Sequence, residues 1–189
     1  MEGDHPGSVF LIESGSVKVY MISEDGTELI LGFRGTGELL CETSALDQVP
    51  RSTCGTGRVA GLATEIPGSA FRSFVRSNPE AMTHVLSVIR HRLRDSDHER
   101  LSYASDSVSA RVSRKLLAWA ITYGKPEPGG DVVVRGFSRR ELAQSVAAAE
   151  KTVDDVLVAL RTAGLISTGR LSFVVHDPRR LHSWPPAQT

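Results

Sequence analysis

Apolar residues along the first seventy positions fall in short runs broken by turn residues. VFLI, VKVYMI and ELILGF are separated by Glu13-Ser14-Gly15 and by Glu24-Asp25-Gly26. Within SVKVYM, polar and apolar residues alternate, which is the period of a half-buried strand. Asp25-Gly26 between two such runs predicts a tight hairpin. Several short strands at close intervals predict a barrel or a sandwich.

The pattern changes after Pro67 to one that predicts helix. Asn78-Pro79-Glu80 predicts a helix start, with Asn78 as N-cap and Pro79 at the first helical position. Met82, Leu86, Ile89 and Leu93 then recur at steps of four, three and four. That is a coiled-coil spacing and predicts a dimerisation helix. A helix packed on its own barrel gives a similar spacing over so few turns. Continued, the seam reaches Ser96, Arg100 and Tyr103 and weakens. His84, His91 and His98 lie seven apart, about 10 Å along a helix axis. That is too far to share one metal, and it predicts a solvated stripe.

SVSARVSRKLLAWAITYG predicts a further helix ending near Gly124, followed by a loop, KPEPGGD, and a strand, VVVRGF. Ser138-Arg-Arg-Glu141 is a capping box: the serine accepts from the third helical amide and the glutamate reaches back. The helix it opens buries Leu142 and Val146. After a short AAA turn, a second helix begins near Glu150, buries Val153, Val156, Leu157 and Leu160, and ends at Gly164. Two strands around a Thr168-Gly169 turn complete the order helix, turn, helix, hairpin. This order is that of a winged helix-turn-helix, which lays its second helix across a DNA major groove. A helical hairpin used for protein contacts has the same helices, so the order of elements carries the reading.

Composition adds limits. The 189 residues are 40% hydrophobic and 23% charged, as expected of a soluble globular chain with one large or two small domains. No apolar run approaches the ~20 residues of a membrane span. The first residues carry acids where a signal peptide carries bases, so a cytoplasmic protein is expected. Cys41 and Cys54 form no CxxC pair and are expected as reduced thiols. The formal net charge of zero conceals an asymmetry. Residues 1–106 hold ten basic and fifteen acidic residues, net −5, and residues 107–189 hold twelve and seven, net +5. A basic C-terminal module points to nucleic acid. No histidine, cysteine or serine stands in a catalytic spacing, so an enzyme is not expected.

Four segments carry a resemblance. GSVFLIESGSVKVY looks like the second and third barrel strands of the Crp/Fnr family of bacterial transcription regulators. GELLCETSALDQVPRST resembles its phosphate-binding cassette, and NPEAMTHVLSVIRHRLRD the start of its dimerisation helix. FSRRELAQSVAAAEKTVDDVLVALRTAGLIS is similar to its helix-turn-helix. The resemblance implies an α+β protein in three parts. These are a cyclic-nucleotide-binding β-barrel of jelly-roll type over 1–77, a dimerisation helix over 78–106, and a winged helix-turn-helix over 107–189. It implies a homodimer that binds double-stranded DNA, responds to an effector such as cyclic AMP, and contacts RNA polymerase. Family members usually carry another strand or two before the GDHPGS-like segment. Either the true start lies upstream, or the barrel lacks part of its wall and exposes a sheet edge.

The cassette is carried over residue by residue. Glu42 matches the glutamate that accepts from a ribose hydroxyl, Arg51 the arginine that binds the cyclic phosphate, and Ser52 its neighbour. Cys41 replaces the glycine that lets backbone approach the ligand. Ser96 and Asp97 fall where cyclic-AMP-binding members place polar groups near the base. Alternatively, Glu42 and Arg51 pair with each other and the site is empty or takes another ligand.

The reading helix departs further. Members often present S-R-E-T-V-x-R, in which arginines take guanine edges and the glutamate a cytosine amine. Here the segment is A-E-K-T-V-D-D: Ala149, Glu150, Lys151, Thr152, Val153, Asp154, Asp155. The three reading charges are inverted. In one reading Lys151 contacts guanine, and Glu150 or Asp155 accepts from base amines. Ser138, Arg139, Arg140, Arg170 and Lys115 then serve the backbone. In the other, specific DNA binding is lost and the chain is a cyclic-nucleotide sensor acting through protein contacts.

Overall fold

The computed structural model describes residues 2–5 and 7–184. It divides into two compact units, 2–98 and 99–184, with the division inside one long helix. The first unit begins with strands β1 (Ser8–Ile12), β2 (Ser16–Ile22), β3 (Glu28–Arg34) and β4 (Leu39–Leu40). Helix α1 (Glu42–Asp47), strands β5 (Cys54–Val59) and β6 (Ala63–Pro67), and helices α2 (Gly68–Ser77) and α3 (Pro79–Ser105) follow. The strands form two antiparallel three-stranded sheets, ordered β4-β1-β6 and β3-β2-β5. The chain changes sheet at every step except the β2–β3 hairpin, as in a jelly roll.

The predicted hairpin joins β2 to β3. Gly26 takes φ +84°, and the Asp25 carboxylate accepts from the Thr27 amide at 3.0 Å and the Ser23 hydroxyl at 2.5 Å. Those bonds hold Asp25 down at about 2. The core of this unit gathers Val9, Ala45, Phe71, Val75 and Val85, with Met82 and Ile89 packed against it.

The apolar seam of α3 therefore divides. Met82 and Ile89 turn toward the sheets, whereas Leu86 and Leu93 stand 56% and 58% exposed, as does Leu101 at 64%. Asn78 holds the N-cap position of α3, and its carbonyl accepts from the Met82 amide at 3.1 Å, but its side chain serves the preceding helix. Its side-chain amide donates backward to the Phe74 carbonyl at 2.7 Å and closes α2. His84, His91 and His98 are all exposed, in line with a solvated stripe.

The second unit follows α3 with α4 (Val108–Tyr123), β7 (Lys125–Pro126), β8 (Val132–Arg135), α5 (Arg139–Ser145) and α6 (Glu150–Thr162). Strands β9 (Ile166–Gly169) and β10 (Ser172–Val175) and helix α7 (Pro178–His182) end it. The sheet order is β7-β8-β10-β9. β7 lies in the segment expected as loop. Trp119 stacks on Phe137 with centroids 4.2 Å apart, beside buried Leu116, Leu142, Leu157 and Phe173.

The capping box forms as expected. The Ser138 hydroxyl accepts from the Glu141 amide at 3.1 Å, and the Glu141 carboxylate accepts from the Ser138 amide at 2.8 Å. Gly164, at φ +69°, ends α6, with the Leu165 amide reaching the Leu160 carbonyl at 3.0 Å. The wing turn sits two residues later than Thr168-Gly169. Gly169 pairs with Ser172, and Leu171 takes the left-handed conformation at φ +51°.

Candidate ligand site and nucleic-acid interface

The ligand cassette is the connection from β4 through α1 to β5. Cys41 sits at the N-cap of α1 with φ +67° and ψ +14°. A non-glycine residue there costs about 1–2 kcal/mol. The cysteine thus adopts the backbone that a glycine would take freely. Burial pushes its half-buried thiol up, and the nearby Arg51 pulls less strongly in the opposite direction.

Glu42, next in the chain, is 3% exposed. A buried carboxylate needs a partner, and that partner is Arg92 on α3, whose Nη1 donates to Oε1 of Glu42. Nη2 of Arg92 donates to the Leu39 carbonyl at 3.2 Å, and Glu38 lies 3.9 Å away. The expected alternative of a Glu42–Arg51 pair is not what forms. Arg92 is not among the expected site residues, although the sequence holds a signal for it: it lies three and seven residues beyond Ile89 and Val85, on the packed stripe, where a lone cation demands a buried anion.

Arg51 is anchored through its backbone. Its amide donates to the Asp4 carbonyl at 3.0 Å, and its own carbonyl accepts from Gly3 at 2.8 Å. Its guanidinium lies over the Phe10 ring, 5.5 Å from the centroid. Its Nε is shut off from solvent with no hydrogen-bond partner among the described residues. Ser52 is exposed beside it. On α3, Ser96 is half-buried and Asp97 exposed.

In the second unit the short turn between α5 and α6 is made by Ala147 at φ +49°, with the Ala148 amide bonded to the Ala143 carbonyl. Ala149 opens α6 without a side-chain cap. Val153, Leu157 and Leu160 bury one face, and Val156 is half-buried. Glu150, Lys151, Thr152 and Asp155 are exposed together on the other side. Arg170 is exposed in the wing turn, and Lys115 is occupied by Glu99 at 2.8 Å.

Residues 1–78 match the family model of the cyclic nucleotide-binding domain, and residues 110–184 match that of the Crp-like helix-turn-helix domain. The chain belongs to the Crp/Fnr family. Like its relatives, this Crp/Fnr protein is a DNA-binding transcription regulator. It is 29% identical over 180 residues to the CRP-like cAMP-activated global transcriptional regulator of Mycobacterium tuberculosis, covering 95% of this chain and 80% of that one. It is 26% identical over 179 residues to the cAMP-activated global transcriptional regulator CRP of Pasteurella multocida, covering 94% and 85%.

Among solved structures, the c-di-GMP responsive global regulator CLP of Xanthomonas campestris superposes with a TM-score of 0.82 at 24% identity, over 93% of this chain and 87% of that one. A CRP-family transcriptional regulator from Thermus thermophilus gives 0.80 at 22%, over 96% and 89%. These two establish the fold of a Crp/Fnr protein. No helix among the described residues is long and apolar enough to cross a membrane.

Proposed function

We propose that this chain works as a cytoplasmic homodimer whose binding to double-stranded DNA is modulated by a cyclic nucleotide, cyclic AMP first among the candidates. The observation that carries the effector reading is Arg51. A guanidinium nitrogen buried without a partner is costly, and a cyclic phosphate supplies the missing acceptor. Glu42 and Ser52 line the same cassette, with Cys41 at its turn. Ser96 and Asp97 would face the base from α3. Relatives named as cAMP-activated support the same choice.

Dimerisation rests on Leu86, Leu93 and Leu101, three exposed leucines on one helix that a second copy of α3 would cover. DNA would be read from α6 through Lys151, Thr152 and Asp155, with Glu150 exposed beside them. Ser138, Arg139, Arg140 and Arg170 would serve the backbone, and RNA polymerase would be the protein partner at promoters.

Calorimetry with cyclic AMP and with cyclic GMP tests the effector. Saturable heat that disappears in Arg51→Gln supports the assignment, and no heat at millimolar ligand overturns it. If the nucleotide binds while no DNA does, the chain is instead a sensor acting through protein contacts.

A further inference from the structure

The acids of α6 are not equivalent. Arg139 and Arg140 open α5, and each meets a carboxylate of α6. Arg139 Nη1 lies 3.3 Å from Oδ1 of Asp154, and Arg140 Nε lies 3.8 Å from Oε1 of Glu150. Arg139 reaches further: its Nη2 donates to the Thr168 hydroxyl at 3.4 Å, which also accepts from Arg161 Nη1 at 3.3 Å. Lys151 and Asp155 make no ion pair with a described residue.

From this geometry we infer that Glu150 and Asp154 are positioning residues for the α5 arginines rather than base readers. The sequence specificity of α6 falls to Lys151, Thr152 and Asp155. The inference rests on the DNA-binding reading above.

The consequence is chemical. A phosphate that approaches Arg139 or Arg140 competes with a carboxylate already beside the guanidinium. Exposed pairs of this kind are weak, so the displacement is feasible at each position. Random DNA offers only phosphates and meets the full competition. A cognate site adds base contacts through Lys151 and Asp155 that offset it. The two acids therefore lower affinity for non-specific DNA while leaving the choice of bases alone. That accounts for a reading helix carrying three acids on a module that must meet a polyanion.

The test uses the full-length chain and two variants, Glu150→Gln and Asp154→Asn, singly and combined, with folding confirmed by circular dichroism. Binding to a random-sequence duplex is measured across a salt series, and a random library is selected with each variant. The double variant should bind random duplex several-fold more tightly. Its log K against log salt should steepen by about two, since each phosphate newly engaged contributes about 0.9 to the slope. The selected bases should be unchanged. In an Arg140→Gln background the gain from Glu150→Gln should fall below twofold.

A changed base preference in Glu150→Gln would show that Glu150 reads a base and would overturn the assignment. An equal gain with and without Arg140 would overturn it too, because mere removal of negative charge would then explain the effect. If the folded parent and every variant ignore all DNA at low salt, the DNA-binding reading itself fails and takes this inference with it.

Discussion

Arg92, on the long helix, holds the carboxylate of Glu42, which is 3% exposed in the ligand cassette. Fifty residues of sequence separate them. The pair fastens α3 to the loop that would grip a nucleotide, because the same guanidinium also takes the Leu39 carbonyl. A change at the cassette therefore has a direct connection to the helix.

Removing one member of a buried ion pair strands the other. Arg92→Met leaves the Glu42 carboxyl buried without its partner, and such a loss costs about 3 kcal/mol when the pair is fully buried. Arg92 is 27% exposed, so water softens the penalty to about 2 kcal/mol. Calorimetric unfolding of the full chain should show the drop. Arg92→Met combined with Glu42→Gln should recover most of it, and Arg90→Met, at an exposed position of α3, should change little.

Cys41→Gly should stabilise the protein. The position already has φ +67°, which glycine adopts without steric penalty. Relief of that strain is worth about 1 kcal/mol, less the extra entropy of a glycine in the unfolded chain. A higher denaturation midpoint is the expected result. A lower one would mean that the thiol packs in the cassette more favourably than its backbone is strained.

Ala149→Ser should also stabilise. Ala149 has the extended dihedrals of an N-cap, φ −63° and ψ +142°, but offers no acceptor to the first amides of α6. A serine hydroxyl there is worth about 1 kcal/mol. Thermal unfolding monitored at Trp119, which is buried in the same unit, reads the change.

Tyr103 carries a pH dependence. Burial, and the charge of Glu99, push its phenol up to about 12, against a smaller pull from Arg111. Below the unfolded value near 10, both states keep the proton and stability is unaffected. Between about 10 and 12 the unfolded chain loses its proton first, so stability falls as pH rises through that window. Spectrophotometric titration should show the Tyr103 phenol ionising only at about 12, and Tyr103→Phe should remove that step and flatten the alkaline fall.

Much of the fold is legible from residue order because the signals are local. Asp25-Gly26 sets its own hairpin, and Ser138 with Glu141 sets its own helix start. Gly164 ends α6 where expected. What escapes depends on distant partners. The heptad-like seam on α3 does not reveal that Met82 and Ile89 face the sheets while Leu86 and Leu93 face outward. Both faces are apolar, and only the tertiary contact sorts them. Asn78 starts α3 as its sequence suggests, yet its side-chain amide is spent on the helix before it. Arg92 reads as one more charge on a charged helix, since its anion lies fifty positions away. The acids of α6 read in sequence as evidence against the family's usual DNA site. Two of the three prove to sit against arginines of α5.

Regulated, sequence-specific DNA binding is tested most directly by selecting genomic or random duplex with the purified protein, with and without cyclic AMP and across a salt series. The expected result is enrichment of a palindromic site with half-sites about 34 Å apart, stronger with the nucleotide and falling steeply with salt. A flat profile at low salt, unchanged by cyclic AMP, would contradict it.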